Sequence, residues 1–159
     1  MKDTSVTKKK KHSYALLLVI IFGIFFGFSL FTFFYAGGHS YLRDDPQACL
    51  NCHVMRSQFD AWNRSSHHQA ASCNDCHTPK NIVKKYAVKA ISGWNHGSAF
   101  TTGDFNEPII IQPSNRNIVL KNCLRCHGKF VSRTPINKPG ETKGDCIHCH
   151  GNVGHRNRR

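Results

Sequence analysis

The unit Cys-x-x-Cys-His occurs four times, at Cys49–His53, Cys73–His77, Cys123–His127 and Cys146–His150, and together these units use all eight cysteines of the chain. This spacing is that of c-type haem attachment. Two thiols two residues apart form thioethers to the two vinyl groups of one macrocycle, and the histidine that follows ligates the iron from the proximal side. Redox dithiols and zinc sites also use Cys-x-x-Cys, and the interval from Cys52 to Cys73 is near that of a zinc ribbon. Neither has a use for a histidine directly after every second cysteine. The motif therefore points to four covalently bound haem c groups.

Such a load leaves little for the polypeptide to do by itself. The chain has 159 residues, and the 117 from Arg43 onward must hold all four haems. Much of the apolar content lies before that point, so the remainder is poor in core-building side chains. The haems then serve as the interior, and the region is expected to be unfolded without them. The formal net charge of +13 does not indicate a nucleic-acid partner once the charges are located. Lys2 and Lys8 to Lys11 supply five positives ahead of the apolar stretch. From Arg43 onward, 17 Lys and Arg against 8 Asp and Glu leave a surplus of nine, which eight haem propionates nearly cancel. The tail residues Arg156, Arg158 and Arg159 are the remaining candidates for a docking patch.

From Ser13 to Leu42 there is no Asp, Glu, Lys or Arg. As a helix, the 23 residues Tyr14 to Ala36 would span roughly 35 Å at about 1.5 Å each, enough for a hydrocarbon core of ~30 Å. The stretch is apolar on every face, which separates it from a surface-lying amphipathic helix. Gly23 and Gly27 form a Gly-x-x-x-Gly at which a second helix could approach. The stretch is longer than the apolar region of a cleaved signal peptide and exits through Phe33, Phe34 and Tyr35, so it reads as a retained anchor. The lysine run before it places the N-terminus in the cytoplasm and the rest outside the inner membrane. The organisation expected is a basic cytoplasmic tail (1–12) without fixed structure, a transmembrane anchor (13–37) and a periplasmic tetrahaem domain (38–159), single-pass and in contact with lipid. The fold class is mainly α with long loops: one transmembrane helix and a small haem-packed cytochrome c domain.

Asp45 and Pro46 read as the cap and first residue of a short helix carrying the first motif. Thr78-Pro79 reads as the start of a longer helix, through Val83, Ala87, Ala90, Ile91 and Trp94, with Gly97 as its stop. On it Lys89 and His96 are seven residues apart and share a face. Residues 99–117 and 133–144 read as loops, and Ser114 as a cap for the helix leading to the third motif.

Four haems have eight axial positions, four of them within reach of the motif histidines His53, His77, His127 and His150. His67, His68, His96 and His155 are the best-placed further imidazoles, with Met55 and Lys89 as candidates of other chemistry. Met55 is either a packing residue or a thioether ligand that raises the potential of its haem. Spacing alone does not choose between them.

Together these features resemble the NapC/NirT family of membrane-anchored tetrahaem quinol dehydrogenases, most closely its short members that form the small subunit of cytochrome c nitrite reductase. The residues carrying the resemblance are the anchor, the four unevenly spaced motifs, Cys-x-x-Cys-His-x-Met at Cys49 to Met55, Ser65-Ser66-His67, Thr78-Pro79-Lys80 and His155. The resemblance implies Met55 as proximal ligand of the first haem in place of His53, with His77 and His155 on the second haem, His127 and Lys89 on the third, and His150 and His67 on the fourth. It implies oxidation of a quinol, menaquinol or ubiquinol, beside the first haem, with Lys89 and His96 as candidate quinol-site residues. Electrons would pass to the catalytic subunit of an ammonia-forming multihaem nitrite reductase, a reaction this chain does not itself perform. At 96 this sequence has histidine where the family can have aspartate. His96 either ligates the first iron or stays free to take a proton from quinol, a task that imidazole suits. Two other readings remain at this stage: a general quinol dehydrogenase hub feeding several reductases, and a haem sensor or small-molecule enzyme with an open iron.

Overall fold

The computed structural model of the protein describes residues 3–132 and 145–155, and its chain divides into two units, Met1–His39 and Ser40–Arg159. In the first unit α1 (Asp3–Tyr35) is a single helix of 33 residues. Its part Lys11–Tyr35 is long and apolar enough to cross a membrane, and no part of it is buried inside the protein. Its large apolar side chains, Tyr14 to Tyr35, are exposed all round, a surface for which lipid is the matching solvent. Ring pairs four residues apart, Phe22 with Phe26 and Phe31 with Tyr35, stack along it at 6.2 and 5.6 Å. The helix begins at Asp3, not at the edge of the apolar stretch, so the basic tail is helical where no fixed structure was expected. Helix propagation explains this: once the apolar span has paid for nucleation, each added residue costs little, and lysine is a good helix former.

The second unit is a chain of short helices joined by turns. A 3-10 helix, Pro46–Asn51, carries the first motif; Asp45 caps it by accepting from the Gln47 N–H at 2.9 Å, with Pro46 at its start. A 3-10 turn, His53–Met55, leads into α2 (Arg56–Asn63). The second motif is α3 (Cys73–His77), five residues long. Next is α4 (Ile82–Thr102), and here both expected boundaries move. It starts at Ile82, not at Thr78-Pro79, because Asn81 accepts from the Lys84 N–H at 3.1 Å and caps it. It runs through Gly97 and stops at Gly103, which takes the left-handed conformation (φ 75°) that glycine adopts without a steric cost. The third motif lies inside α5 (Pro113–Val131), which starts at Pro113 after Gln112; Ser114 is already within it. The fourth motif is α6 (Cys146–His150). The expected loop at 133–144 and the basic tail Arg156, Arg158 and Arg159 lie outside the described residues.

A five-residue helix is mostly ends, and helix ends leave carbonyls and amides without partners. Polar residues of α5 supply those partners for α3. Asn122 donates to the carbonyls of Cys76 (2.8 Å) and Thr78 (2.9 Å), and Arg125 donates to the Asp75 carbonyl (3.0 Å) and the Asn122 side chain (2.8 Å). Asn115 donates to the His77 carbonyl at 2.9 Å. At the other end of α3 the Asp75 carboxylate accepts from the Ser72 amide (3.0 Å) and hydroxyl (2.8 Å). It also receives Lys80 at 2.8 Å, which holds its pKa at about 2.

The buried side chains among the described residues are Thr78, Lys89 and Asn122, all polar, and none is hydrophobic. A unit of this size needs an apolar interior to offset chain entropy. Among its described residues this one has polar ties and no apolar centre.

Asp75→Ala removes the acceptor at the start of α3 and is expected to cost about 1–2 kcal/mol, read as a lower Tm of the purified haem-loaded protein. Lys80→Ala removes only a pair whose lysine side chain is 65% exposed and should change stability by less than about 1 kcal/mol.

Candidate functional site

Folding brings four of the candidate histidines together in pairs. His77, at the end of α3, faces His155 with ring centres 6.0 Å apart and planes 9° apart. His67, in the turns after α2, faces His127 of α5 with centres 6.0 Å apart and planes 71° apart. Two nitrogen ligands about 2.0 Å from one metal ion on opposite sides put their ring centres about 6 Å apart. Both pairs fit that separation. The resemblance had paired His67 with His150, whereas the fold puts His67 beside His127. Among the described residues His53, His96 and His150 form no such ring pair, and His68 packs edge-on against Trp62 at 4.7 Å.

The outer nitrogens are already engaged. His77 Nδ1 meets Asn115 Oδ1 at 2.6 Å, and because the Asn115 amide nitrogen donates to the His77 carbonyl, its oxygen is left to accept from the ring. His67 Nδ1 meets the Val153 carbonyl at 3.2 Å, an acceptor that can only take a proton. Each ring therefore donates from Nδ1, which leaves Nε2 as the nitrogen for a metal. His155 Nδ1 is a buried polar atom without a protein partner. Burial, and then the neighbouring His77, lowers the His155 pKa, which favours the neutral ligand form.

The thiols fit the same group. All eight are thiols, six partly buried and Cys126 and Cys149 exposed. Among the described residues no three His, Cys, Asp or Glu side chains converge as a metal cage would require. Facing imidazole pairs with separate thiol pairs suit iron in a planar macrocycle, which offers only two axial positions. Burial raises the Cys76 and Cys123 thiols, a shift that disappears on thioether formation.

The other candidates lie on the first motif and α4. Met55 is partly buried at the end of its 3-10 turn, and His53 is exposed. Lys89 is 8% exposed, and its ammonium donates to the Arg43 carbonyl (2.7 Å) and to Asp44 Oδ1 (3.1 Å). Lys85 pairs with the other Asp44 oxygen, and these two lysines hold the Asp44 carboxyl below the usual carboxylate range, Lys85 contributing most. Two turns along α4, His96 Nδ1 lies 3.3 Å from the Tyr41 hydroxyl. Desolvation lowers the His96 pKa and raises that of Tyr41. Tyr41, Asp44, Asn115 and Asn122 carried no motif signal. The only trace of Asp44 was its place in the Asp-Asp-Pro before the first helix.

Residues 9–159 match the model of the NapC/NirT cytochrome c family, N-terminal region. The chain belongs to that family and is a tetrahaem cytochrome c. It is 37% identical over 147 residues to the cytochrome c-type protein NrfH of Wolinella succinogenes, covering 86% of this chain and 83% of that one. It is 33% identical over 113 residues to the cytochrome c nitrite reductase subunit NrfH of Nitratidesulfovibrio vulgaris, covering 70% of this chain and 68% of that one. Its fold matches, with a TM-score of 0.61 and 26% identity, a chain in the crystal structure of the cytochrome c nitrite reductase NrfHA complex bound to the HQNO inhibitor, over 85% of this chain and 88% of that one.

Asn115→Leu takes the acceptor from His77 Nδ1. It should lower stability by about 1–3 kcal/mol and shift the EPR g values of one low-spin haem, leaving the others unchanged.

Proposed function

We propose that this chain is the membrane-anchored, quinol-oxidising subunit that feeds electrons to a cytochrome c nitrite reductase. The observation that supports this most is the coincidence of an exposed apolar helix with imidazole pairs held at haem-ligand separation, in a chain 37% identical to an NrfH. The lysine run ahead of α1 favours a cytoplasmic N-terminus in the inner membrane, with the haem domain, from about residue 38, in the periplasm.

In this reading the cysteine pairs Cys49/Cys52, Cys73/Cys76, Cys123/Cys126 and Cys146/Cys149 tether the four haems. When bound, the haems carry electrons one at a time and fill the interior that the apolar side chains leave empty. His77 with His155, and His127 with His67, would hold two of them. Met55 serves the first haem in preference to the exposed His53, and His150 serves the fourth. Since His67 supplies the second imidazole opposite His127, Lys89 is released from ligand duty and serves quinol as an ammonium. Quinol loses two electrons and two protons as it becomes quinone. Lys89 orients one quinol oxygen by donating to it, His96 takes one proton, and the other passes to water. Menaquinol or ubiquinol would be bound by the same groups.

The deciding measurement is quinol oxidation by the purified complex with its reductase in liposomes. His96→Ala and Met55→Leu should each lower the rate at least tenfold; full rate in both would remove the proposed site. Histidine pairing has its own readout. His67→Ala and His155→Ala should each let the reduced protein bind one additional equivalent of carbon monoxide, and the double variant two.

A further inference from the structure

Lys89 is among the few buried side chains of the described residues and the only one of them that carries charge. It is fixed from outside its own helix. The segment Tyr41–Asp44 lies along one face of α4 through contacts at helical spacing. Asp44 takes Lys85 and Lys89, the Arg43 carbonyl takes Lys89, the Leu42 carbonyl takes the Tyr86 hydroxyl at 3.4 Å, and Tyr41 meets His96. Asp44 is itself aimed. Asn74, from the second motif, donates to Asp44 Oδ1 at 3.0 Å and to the Arg43 carbonyl at 3.4 Å. One oxygen of the carboxylate therefore faces Lys89 and Asn74, and the other faces Lys85.

An ammonium has three N–H donors and no acceptor. Two of the Lys89 donors are taken by the Arg43 carbonyl and Asp44. The ammonium also lies over the Tyr86 ring, 5.7 Å from its centre, and its third donor has no hydrogen-bond acceptor among the described residues. A buried ammonium without a carboxylate is unfavourable, so Asp44 is also what allows the charge to sit there. A flexible lysine without these two anchors would lose rotamer freedom each time it bound a substrate.

We propose that Asp44 is a positioning residue of the quinol site: it fixes the Lys89 ammonium so that one N–H remains for a quinol oxygen. This rests on the reading that Lys89 serves quinol. Asp44 touches Lys89 and not the substrate, so its effect passes through Lys89 alone.

The test is a double-mutant cycle read as binding of HQNO to the purified, full-length, haem-loaded protein by fluorescence quenching. Haem content and the low-spin spectrum serve as controls on folding. K89Q and D44N should each weaken HQNO binding about tenfold, and the double variant should bind no more weakly than K89Q alone. K85Q, which breaks the other half of the Asp44 cluster, should stay within twofold. Should D44N fail to mature, N74A, which frees Asp44 to turn away, takes its place and should weaken binding about threefold. Unchanged binding in K89Q would sink the reading of Lys89 and this proposal with it. Weakening in K89Q with parental affinity in D44N (or N74A) overturns the proposal alone. So does a D44N effect that persists undiminished in the K89Q background, or a K85Q effect as large as that of D44N.

Discussion

Facing imidazoles held 6.0 Å apart set the terms on which the second unit is built. A pair at that distance has room for one metal ion between two nitrogens. The rings come from segments far apart in the chain, residue 67 with 127 and residue 77 with 155. Each pair therefore spans a long loop, in a unit where none of the described hydrophobic side chains is buried. Loop closure of this kind is what small metal-bound domains use in place of a hydrophobic core. The burial pattern agrees: the side chains that leave water are a threonine, a lysine and an asparagine.

Once the interior belongs to a cofactor, the polypeptide is left with orientation as its main task. The amide groups of α5 do most of this. Asn115 fixes both the backbone and the ring of His77, and Asn122 ties the carbonyls that α3 leaves open at its end. Position 115 lies one turn into α5 and position 122 two turns further on, so both fall on the face turned towards α3. The third motif sits on the same helix, so the element that orients the second motif's histidine also carries the third motif. A helix of 19 residues spanning both sets the relation between the two sites more firmly than a loop could.

The haem count, the anchor and the α-rich fold were legible because each has a local signature: a five-residue motif, an apolar run, a helical spacing. Helix ends were less so. Thr78-Pro79 looked like a start and Gly97 like a stop, but Asn81 and Gly103 took those roles, since a cap is decided by which side chain reaches a free amide or tolerates positive φ. The histidine pairing was the least legible. His67, His127 and His150 are alike as residues, and only the path of α5 brings His127 beside His67. Tyr41 and Asp44 were invisible for a related reason. Their partners Lys85, Lys89 and His96 lie more than forty residues along the chain, and an aspartate among surface charges carries no periodicity.

That last group connects electron transfer to proton chemistry. The segment from Tyr41 to Asp44 enters directly into the first motif at Cys49, and along α4 it holds both residues proposed for quinol. A rigid connection between the attachment of the first haem and the groups that receive quinol's oxygen and proton keeps donor and acceptor in register through repeated turnover. Short hydrogen bonds to a backbone carbonyl and a carboxylate achieve this with few residues. They also explain how a lysine comes to be buried here. Lys89 commits two donors to the Arg43 carbonyl and Asp44, and an ammonium has no lone pair to offer a metal.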